Sequence, residues 1–219
     1  MSKYHVNTMC VQEGYQPKNG EARVLPIYQS TTYKYDSSET VGKLFDLEEE
    51  GFFYSRLANP TIDYVEKKIA ALEGGVAAIC TSSGQAALFL AVINICSAGD
   101  HIVSSSAIYG GTTNLFAVTL KRLGIDVTFV SPDSTREELQ AACRDNTKLY
   151  FAETVANPSL VVIDIEKWAN VAHQNGVPFF IDNTFATPIH CRPFEFGADI
   201  VIHSTSKYMD GHAVALGGV

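Results

Sequence analysis

A lysine flanked by hydroxyl groups follows an apolar run near the end of the sequence. Lys207 lies in the segment IHSTSKYMDGH, directly after the residues ADIVI. Lysine is rarely buried, because moving an ammonium group out of water is costly unless a partner pairs with it or neutralises it. Lys207 is therefore either a surface lysine in a loop or a lysine used in covalent chemistry.

An aspartate ends an almost wholly apolar segment, VPFFID, at Asp182. A buried carboxylate without a partner costs about 3–5 kcal/mol, so this side chain needs a cation or several hydrogen-bond donors. One interpretation is a cap on the following turn, Asn183–Thr184. The other is a partner for a cationic ring nitrogen on a cofactor.

A glycine-containing turn precedes an apolar helical pattern in TSSGQAALFLAVI. The first N–H groups of a helix have no partner within the helix, and such an end binds phosphate well. The alternative is a tight turn that simply requires Gly84.

Three further side chains complete a chemical pattern. Tyr109 precedes two glycines, where its ring is free to lie over a flat ligand, and Ser204 and Ser206 place hydroxyl groups beside Lys207. Each has a structural alternative, as a core tyrosine or a turn serine. Together with Asp182 and the glycine turn, however, they meet the needs of pyridoxal 5′-phosphate, which requires an amine, an acid and phosphate donors.

The elements that must position these residues alternate along the chain. Short β-rich segments are separated by helical patterns, which predicts a mostly parallel sheet covered by helices on both faces. The predicted strands are 76–80, 101–105, 126–130, 148–153, 178–182 and 198–203. Ligands bind beyond the carboxyl ends of such strands, and all the residues singled out above follow a strand end.

Two helices are predicted from their apolar spacing. The first begins after Pro60, with Thr61 as a cap and Gly74–Gly75 at its end, and its apolar face is formed by Ile62, Val65, Ile69 and Leu72. The second follows a cap at Asp164, and its stripe is formed by Ile165, Trp168, Ala169 and Ala172. The first fifty residues show no sustained period before SSETVGKLFDLEEEG, which predicts an extended arm.

Composition excludes several classes of protein. The 219 residues are 46% hydrophobic and 18% charged, which is typical of a globular chain. A net charge of −8 argues against nucleic-acid and anionic-membrane surfaces. Five dispersed cysteines indicate neither a disulfide framework nor a metal site. The N-terminus lacks a signal-peptide core, so we expect a cytoplasmic protein.

Six segments carry a specific resemblance: YSRLANPT, TSSGQAA, YGGTTNLF, ETVANP, DNTFATP and HSTSKYMDGH. In this order they resemble the trans-sulfuration enzymes of the Cys/Met-metabolism family. The resemblance implies fold type I of the pyridoxal-phosphate enzymes, an α/β large domain with an N-terminal arm, and pyridoxal 5′-phosphate as the cofactor.

The resemblance also implies roles for individual residues. Lys207 resembles the Schiff-base lysine, Asp182 the partner of the pyridinium, and Tyr109 the ring that stacks on the cofactor and moves a proton at the leaving group. These three are the predicted catalytic residues. The amides of Gly84 and Gln85 and the hydroxyls of Ser204 and Ser206 resemble the phosphate cradle, and Asn157 resembles the residue near the cofactor's phenolic oxygen. The predicted cofactor-binding set also includes Ser83 and Thr184.

Tyr54 and Arg56 resemble residues that reach the phosphate of a neighbouring subunit. The resemblance therefore implies dimers that share active sites, assembled into a homotetramer. We expect residues 1–59 to form the arm and residues 60–219 to form the cofactor-binding large domain, incomplete at its C-terminal end. In the family, a smaller C-terminal domain that we expect to be absent from this chain carries the arginine that binds the substrate carboxylate.

Within the family, SSGQAA and YGGTTNLFAVTLKRLGI resemble O-acetylhomoserine sulfhydrylases most. The implied reaction is γ-replacement, in which sulfide or a thiol displaces acetate from O-acetyl-L-homoserine to give homocysteine or methionine. Methionine γ-lyases usually carry a cysteine where Gly111 stands, whereas cystathionine synthases and lyases accept glycine. Methionine γ-lyase, cystathionine γ-lyase or γ-synthase, and a non-catalytic cofactor-binding fragment are the alternatives.

Overall fold

The computed structural model describes residues 4–219, which divide into two units at the bond between Ile79 and Cys80. The first unit contains helices α1 (Val6–Gln12), α2 (Ser38–Phe45) and α3 (Pro60–Glu73). The expectation of an arm without helical structure near its start is wrong, because α1 forms there and contacts α3. Its Cys10 carbonyl accepts a hydrogen bond from Lys68 Nζ at 2.8 Å.

Helix α3 confirms the first predicted helix, but its cap differs from the prediction. The side chain of Asn59, not Thr61, caps the helix by accepting a bond from the Thr61 N–H at 2.9 Å. The Thr61 hydroxyl instead accepts from the Tyr28 N–H at 2.9 Å. Gly74 ends the helix with φ +80°, a left-handed conformation that glycine adopts without steric cost.

The second unit alternates strands and helices as the sequence predicts. Its strands are β1 (His101–Ser105), β2 (Asp126–Val130), β3 (Thr147–Glu153), β4 (Phe179–Asp182) and β5 (Ile200–Ile202). Its helices are α4 (Gly84–Ile95), α5 (Gly110–Asn114), α6 (Arg136–Ala141), α7 (Ile165–Gln174) and α8 (Thr187–His190). A π-helical segment, Leu115–Leu120, continues α5, and a 3-10 turn, Pro193–Phe196, precedes β5.

The five strands form one parallel sheet in the order β2-β1-β3-β4-β5. The chain therefore moves to one side after β1 and to the other side after β3. Connections that leave neighbouring strands in opposite directions open a crevice at the carboxyl ends of those strands. In this sheet the crevice lies between β1 and β3.

Apolar side chains cover both faces of the sheet, because successive residues of a strand point to opposite sides. On one face, Phe151 packs in a buried cluster with Leu88 and Val92 of α4. On the other face, Tyr150 packs in a second cluster with Trp168 of α7. The predicted stripe of α7 is buried throughout, and Asp164 caps the helix by accepting from the Lys167 N–H at 3.0 Å.

The strand predicted over residues 76–80 is wrong. These residues belong to no strand, and Val76 and Ile79 are exposed to solvent. The residue that follows this segment, Thr81, forms an isolated antiparallel bridge with Gly218. β-Propensity describes how well a residue fits a pleated, packed surface, and among residues 4–219 no strand pairs with this segment to supply one.

Candidate active site

Tyr109 and Asn157 lie in the two loops that border the crevice between β1 and β3. Tyr109 follows β1 and is 48% exposed, and Asn157 follows β3. The backbone N–H of Tyr109 donates to Glu153 Oε1 at 2.6 Å, and that of Asn157 donates to Glu153 Oε2 at 3.2 Å. One carboxylate at the end of β3 therefore holds both loops.

Glu153 is a site residue that the sequence analysis missed. It is only 6% exposed, and burial, reinforced by the nearby charge of Asp182, raises its pKa to about 7, although the two N–H donors act in the opposite direction. The signal in the sequence was the same one that marked Asp182, an acidic residue ending an apolar strand. It lay within the ETVANP segment, in which only Asn157 was given a role.

Asp182 ends β4 and pairs in register with Glu153 on the neighbouring strand. Its Oδ1 accepts from the Thr184 N–H at 2.8 Å, so the turn cap considered from the sequence is present. Burial nevertheless raises the pKa of Asp182 above its ordinary value, against the opposing effects of Thr184 and His203. Two acidic groups side by side in a desolvated position favour the binding of a cation.

Thr184 connects this acidic pair to the loop after β5. Its hydroxyl accepts from the Ser204 N–H at 2.8 Å. Ser204 in turn packs against Gly84 so closely that a Cβ added to Gly84 would lie 2.6 Å from Ser204 Cβ. The two segments predicted to form the phosphate cradle are therefore in contact, and a glycine is required for that contact.

Helix α4 begins with a side-chain N-cap. The Ser83 hydroxyl caps α4 by accepting from the Ala86 N–H at 3.1 Å. The Gln85 side chain donates from Nε2 to the Thr112 hydroxyl at 3.3 Å. Thr112 belongs to α5, so Gln85 links the start of α4 to the segment that follows Tyr109.

The lysine segment continues directly from Ser204. The Lys207 N–H donates to the Ser204 carbonyl at 3.3 Å, and the Lys207 side chain is exposed. The Ser206 hydroxyl accepts from the Gly217 N–H at 2.9 Å. In this arrangement Ser206 organises the backbone of the lysine loop.

The Tyr109 ring lies so close to Gly111 that no side chain fits at position 111. A Cβ at this position would overlap Cε1 of the Tyr109 ring. Any other residue at position 111 therefore requires the ring to move. The orientation of Tyr109 thus depends on the residue that the sequence analysis used to distinguish family members.

Tyr54 and Arg56 lie in the first unit and contact each other. The Arg56 guanidinium carbon is 5.3 Å from the centre of the Tyr54 ring, a cation–π arrangement. Tyr54 also forms an isolated antiparallel bridge with Thr32. Their role in a neighbouring subunit's site stays a prediction.

Residues 4–219 contain no group of three or more His, Cys, Asp or Glu side chains arranged to hold a metal ion. None of the helices in these residues combines the length and the apolar character needed to cross a membrane.

Known proteins resemble the chain over nearly its whole length. O-acetyl-L-homoserine sulfhydrylase of Corynebacterium glutamicum is 54% identical over 90% of this chain and 45% of its own length. Homocysteine/cysteine synthase of Kluyveromyces lactis is 47% identical over 98% of the chain and 49% of its own length. The chain thus spans about half the length of the curated relatives it matches.

A solved structure gives the same result for the fold. It is that of a Campylobacter jejuni protein assigned provisionally as an O-acetylhomoserine (thiol)-lyase, which contains N′-pyridoxyl-lysine-5′-monophosphate. It superposes with a TM-score of 0.94 at 38% identity, over 99% of this chain and 53% of that one. The predicted α/β fold class is therefore confirmed.

The family model for these proteins matches residues 7–219, which include every residue given a role above. The match spans both units, and the solved relative confirms the fold. The chain therefore belongs to the Cys/Met metabolism PLP-dependent enzyme family.

Proposed function

We propose that the protein containing this chain catalyses γ-replacement on O-acetyl-L-homoserine. Sulfide or a thiol displaces acetate at Cγ and gives L-homocysteine or methionine. The observation that carries this proposal is the continuous set of contacts from Gly84 through Ser204 and Thr184 to Asp182. The names of the similar sulfhydrylases supply the choice of reaction.

The residues of the site fit pyridoxal 5′-phosphate. Desolvation raises the pKa of Asp182 and disfavours its charged form, and a cationic ring nitrogen beside it would offset that cost. The start of α4, in contact with Ser204, offers the helix-terminal N–H groups of Gly84 and Gln85 to a phosphate. When bound, the cofactor supplies an electron-accepting ring in conjugation with the substrate.

The protein's own groups then move the protons. The Lys207 amine would hold the cofactor aldehyde. Once displaced by the substrate amine, it would take the proton from Cα, give that proton up to the conjugated system and, neutral again, take one from Cβ. The Tyr109 hydroxyl exchanges a proton on the Cγ side, where acetate leaves and sulfide enters. Asp182 keeps the ring nitrogen protonated throughout.

The assembly and location of the protein are part of the same proposal. Tyr54 and Arg56 bind the phosphate of a neighbouring subunit, and the dimers that result pair into a cytoplasmic homotetramer. Arginine suits this role because its planar guanidinium matches a phosphate group. Residues 1–59 act as the arm in this arrangement, and residues 60–219 carry the cofactor.

Specificity constants test the reaction directly. In the purified protein we expect kcat/KM for O-acetylhomoserine with sulfide to exceed that for methionine or cystathionine alone by at least about tenfold, or 1.4 kcal/mol of transition-state stabilisation. A preference for methionine, with release of 2-oxobutanoate and methanethiol, would identify a γ-lyase instead. Cofactor binding without turnover of any of these substrates would favour the non-catalytic alternative.

A further inference from the structure

The Glu153 carboxylate has no part in the chemistry proposed above, yet it lies at the end of β3, a strand that borders the crevice. It is 6% exposed and accepts hydrogen bonds from loops on both sides of the crevice. In its ionised form, a carboxylate that accepts from N–H groups forms charge-assisted bonds, which are roughly twice as strong as neutral ones. The two loops are thus attached to one rigid point at the end of a central strand.

This attachment matters because the two loops diverge. The chain leaves β1 towards β2 and leaves β3 towards β4, on the other side of the sheet. Tyr109 and Asn157 are therefore carried by segments that run in opposite directions. Glu153 joins them directly, at 2.6 Å to one N–H and 3.2 Å to the other.

We propose that Glu153 is a positioning residue that fixes Tyr109 and Asn157 relative to each other across the crevice. The Tyr109 ring is thereby set at the angle needed to lie over a flat ligand before the ligand arrives. Asn157 is held at the opposite wall by the same carboxylate. The part of this inference that concerns the cofactor rests on the proposed function, whereas the part that concerns the two loops does not.

Two substitutions distinguish the effect of the Glu153 charge from the effect of its side-chain length. Glu153→Gln keeps the length but leaves one oxygen for two N–H donors, so one loop loses its acceptor. Glu153→Asp keeps the charge but is one methylene shorter, so its carboxylate cannot reach both loops. Glu195→Gln is the matched control, because Glu195 is exposed and lies in the 3-10 turn before β5.

The first measurement is residue-resolved amide exchange in cofactor-free protein. In the unsubstituted protein we expect the N–H groups of both Tyr109 and Asn157 to be protected. In each Glu153 variant at least one of them should exchange about tenfold faster or more, as the loss of a charge-assisted bond implies. Glu195→Gln should leave both rates unchanged.

The second measurement is cofactor binding, followed by visible circular dichroism of the bound chromophore. We expect both Glu153 variants to bind pyridoxal 5′-phosphate about tenfold more weakly or more, with an altered dichroic band because the stacking ring is no longer fixed. A structural role elsewhere in the fold would leave the band unchanged in the molecules that retain the cofactor.

If the N–H of Tyr109 or Asn157 exchanges in the unsubstituted protein as fast as an unprotected loop amide, the inference is overturned. This result does not depend on whether a variant folds. Unchanged exchange in both variants would overturn it as well. If the unsubstituted protein binds no pyridoxal 5′-phosphate, the proposed function fails, while the exchange rates still decide the role of Glu153. Faster exchange with unchanged dichroism and affinity would contradict the presetting of Tyr109.

Discussion

Each end of the parallel sheet buries ionisable side chains, but the two ends treat them differently. At the amino end, His101 begins β1 and is fully buried between Thr147 and Thr128. At the carboxyl end, Glu153 and Asp182 finish β3 and β4 and face each other in register. The amino end satisfies its polar group within the protein, whereas the carboxyl end places two acids side by side.

At the amino end the environment selects the neutral form of the side chain. Each ring nitrogen of His101 lies 2.8 Å from a threonine hydroxyl, so the one donor and one acceptor of a neutral imidazole both have partners. Burial, assisted by the positive charge of Arg144, lowers the pKa of His101 to about 4. The buried imidazole at this end of the sheet therefore has all its hydrogen-bond partners within the protein and needs no ligand.

At the carboxyl end the environment disfavours the charged form of both acids. Burial raises the pKa of Glu153 and of Asp182, and their mutual repulsion adds to the shift of Glu153. The groups that oppose these shifts are backbone N–H donors of loops and, for Asp182, also the Thr184 side chain and the charge of His203, with no lysine or arginine among them. Perturbed acids that lack a permanent cation are typical of a functional site, and the difference between the ends indicates where a ligand is needed.

Removal of Lys207, which follows the carboxyl end of β5, should have the largest effect on turnover. Lys207→Ala removes the proposed covalent and proton-transfer group, so turnover should fall by about 10³-fold, within the usual range of 10²–10⁴ for acid–base catalysis. Lys148→Ala, which truncates an exposed lysine of β3 near the amino end, should retain full turnover.

Borohydride reduction and peptide mapping identify the lysine that carries the cofactor. Label on Lys207 is expected. Label on any other lysine, or a Lys207→Ala protein that keeps its turnover, would show that the reaction does not take place at the carboxyl end of the sheet.

Lowering the pH should destabilise the protein through His101, at the amino end of the sheet. The folded-state pKa of His101 lies below its unfolded value, so the unfolded chain takes up a proton first as the pH falls. This contribution to stability is complete above about pH 6.5 and is lost towards pH 4, by about 2–3 kcal/mol at pH 4.5.

Chemical denaturation at pH 8 and pH 4.5 measures that loss. His101→Gln cannot titrate, so its free energy of unfolding should fall less over this interval by the same amount. Turnover at pH 8 should be unaffected by the substitution. Equal pH dependence in the two proteins would mean that His101 is not held neutral.

Asp182→Asn should reduce turnover less than the removal of Lys207, and it tests the proposed partner of the ring nitrogen. The loss of a charge-assisted bond of about 1.5–3 kcal/mol to the ring nitrogen corresponds to a decrease in turnover of about ten- to a hundredfold. Removing the negative charge of Asp182 should also lower the pKa of Glu153, since that charge is one of the causes of its shift.

The matched substitution at the amino end is Asp199→Asn. Asp199 precedes β5 and accepts from the Phe179 N–H and His173, both at 2.8 Å. This variant should lose stability by about 0.5–1.5 kcal/mol and keep its turnover. Unchanged turnover in Asp182→Asn would contradict the proposed partner of the ring nitrogen.

Local pattern was sufficient for most elements of the second unit. The 3.6-residue spacing and the Asp164 cap define α7, and five of the six predicted strands are present with small shifts at their ends. Pattern failed at residues 76–80, where apolar residues have no strand to pair with. It failed also at α1, whose seven residues leave only Met9 buried and so carry little periodic signal.

The reactive and ligand-binding groups of the site can be predicted from the sequence, because residue type and position after a strand are local properties. Lys207, Asp182, Tyr109 and the Gly84 turn were recognisable for this reason. Which of these groups meet depends on the tertiary fold, because strand order and register arise from pairing between distant segments. That pairing puts the β1–β3 crevice between Tyr109 and Asn157, places Glu153 opposite Asp182, and turns an unremarked acid into the residue that joins the two loops.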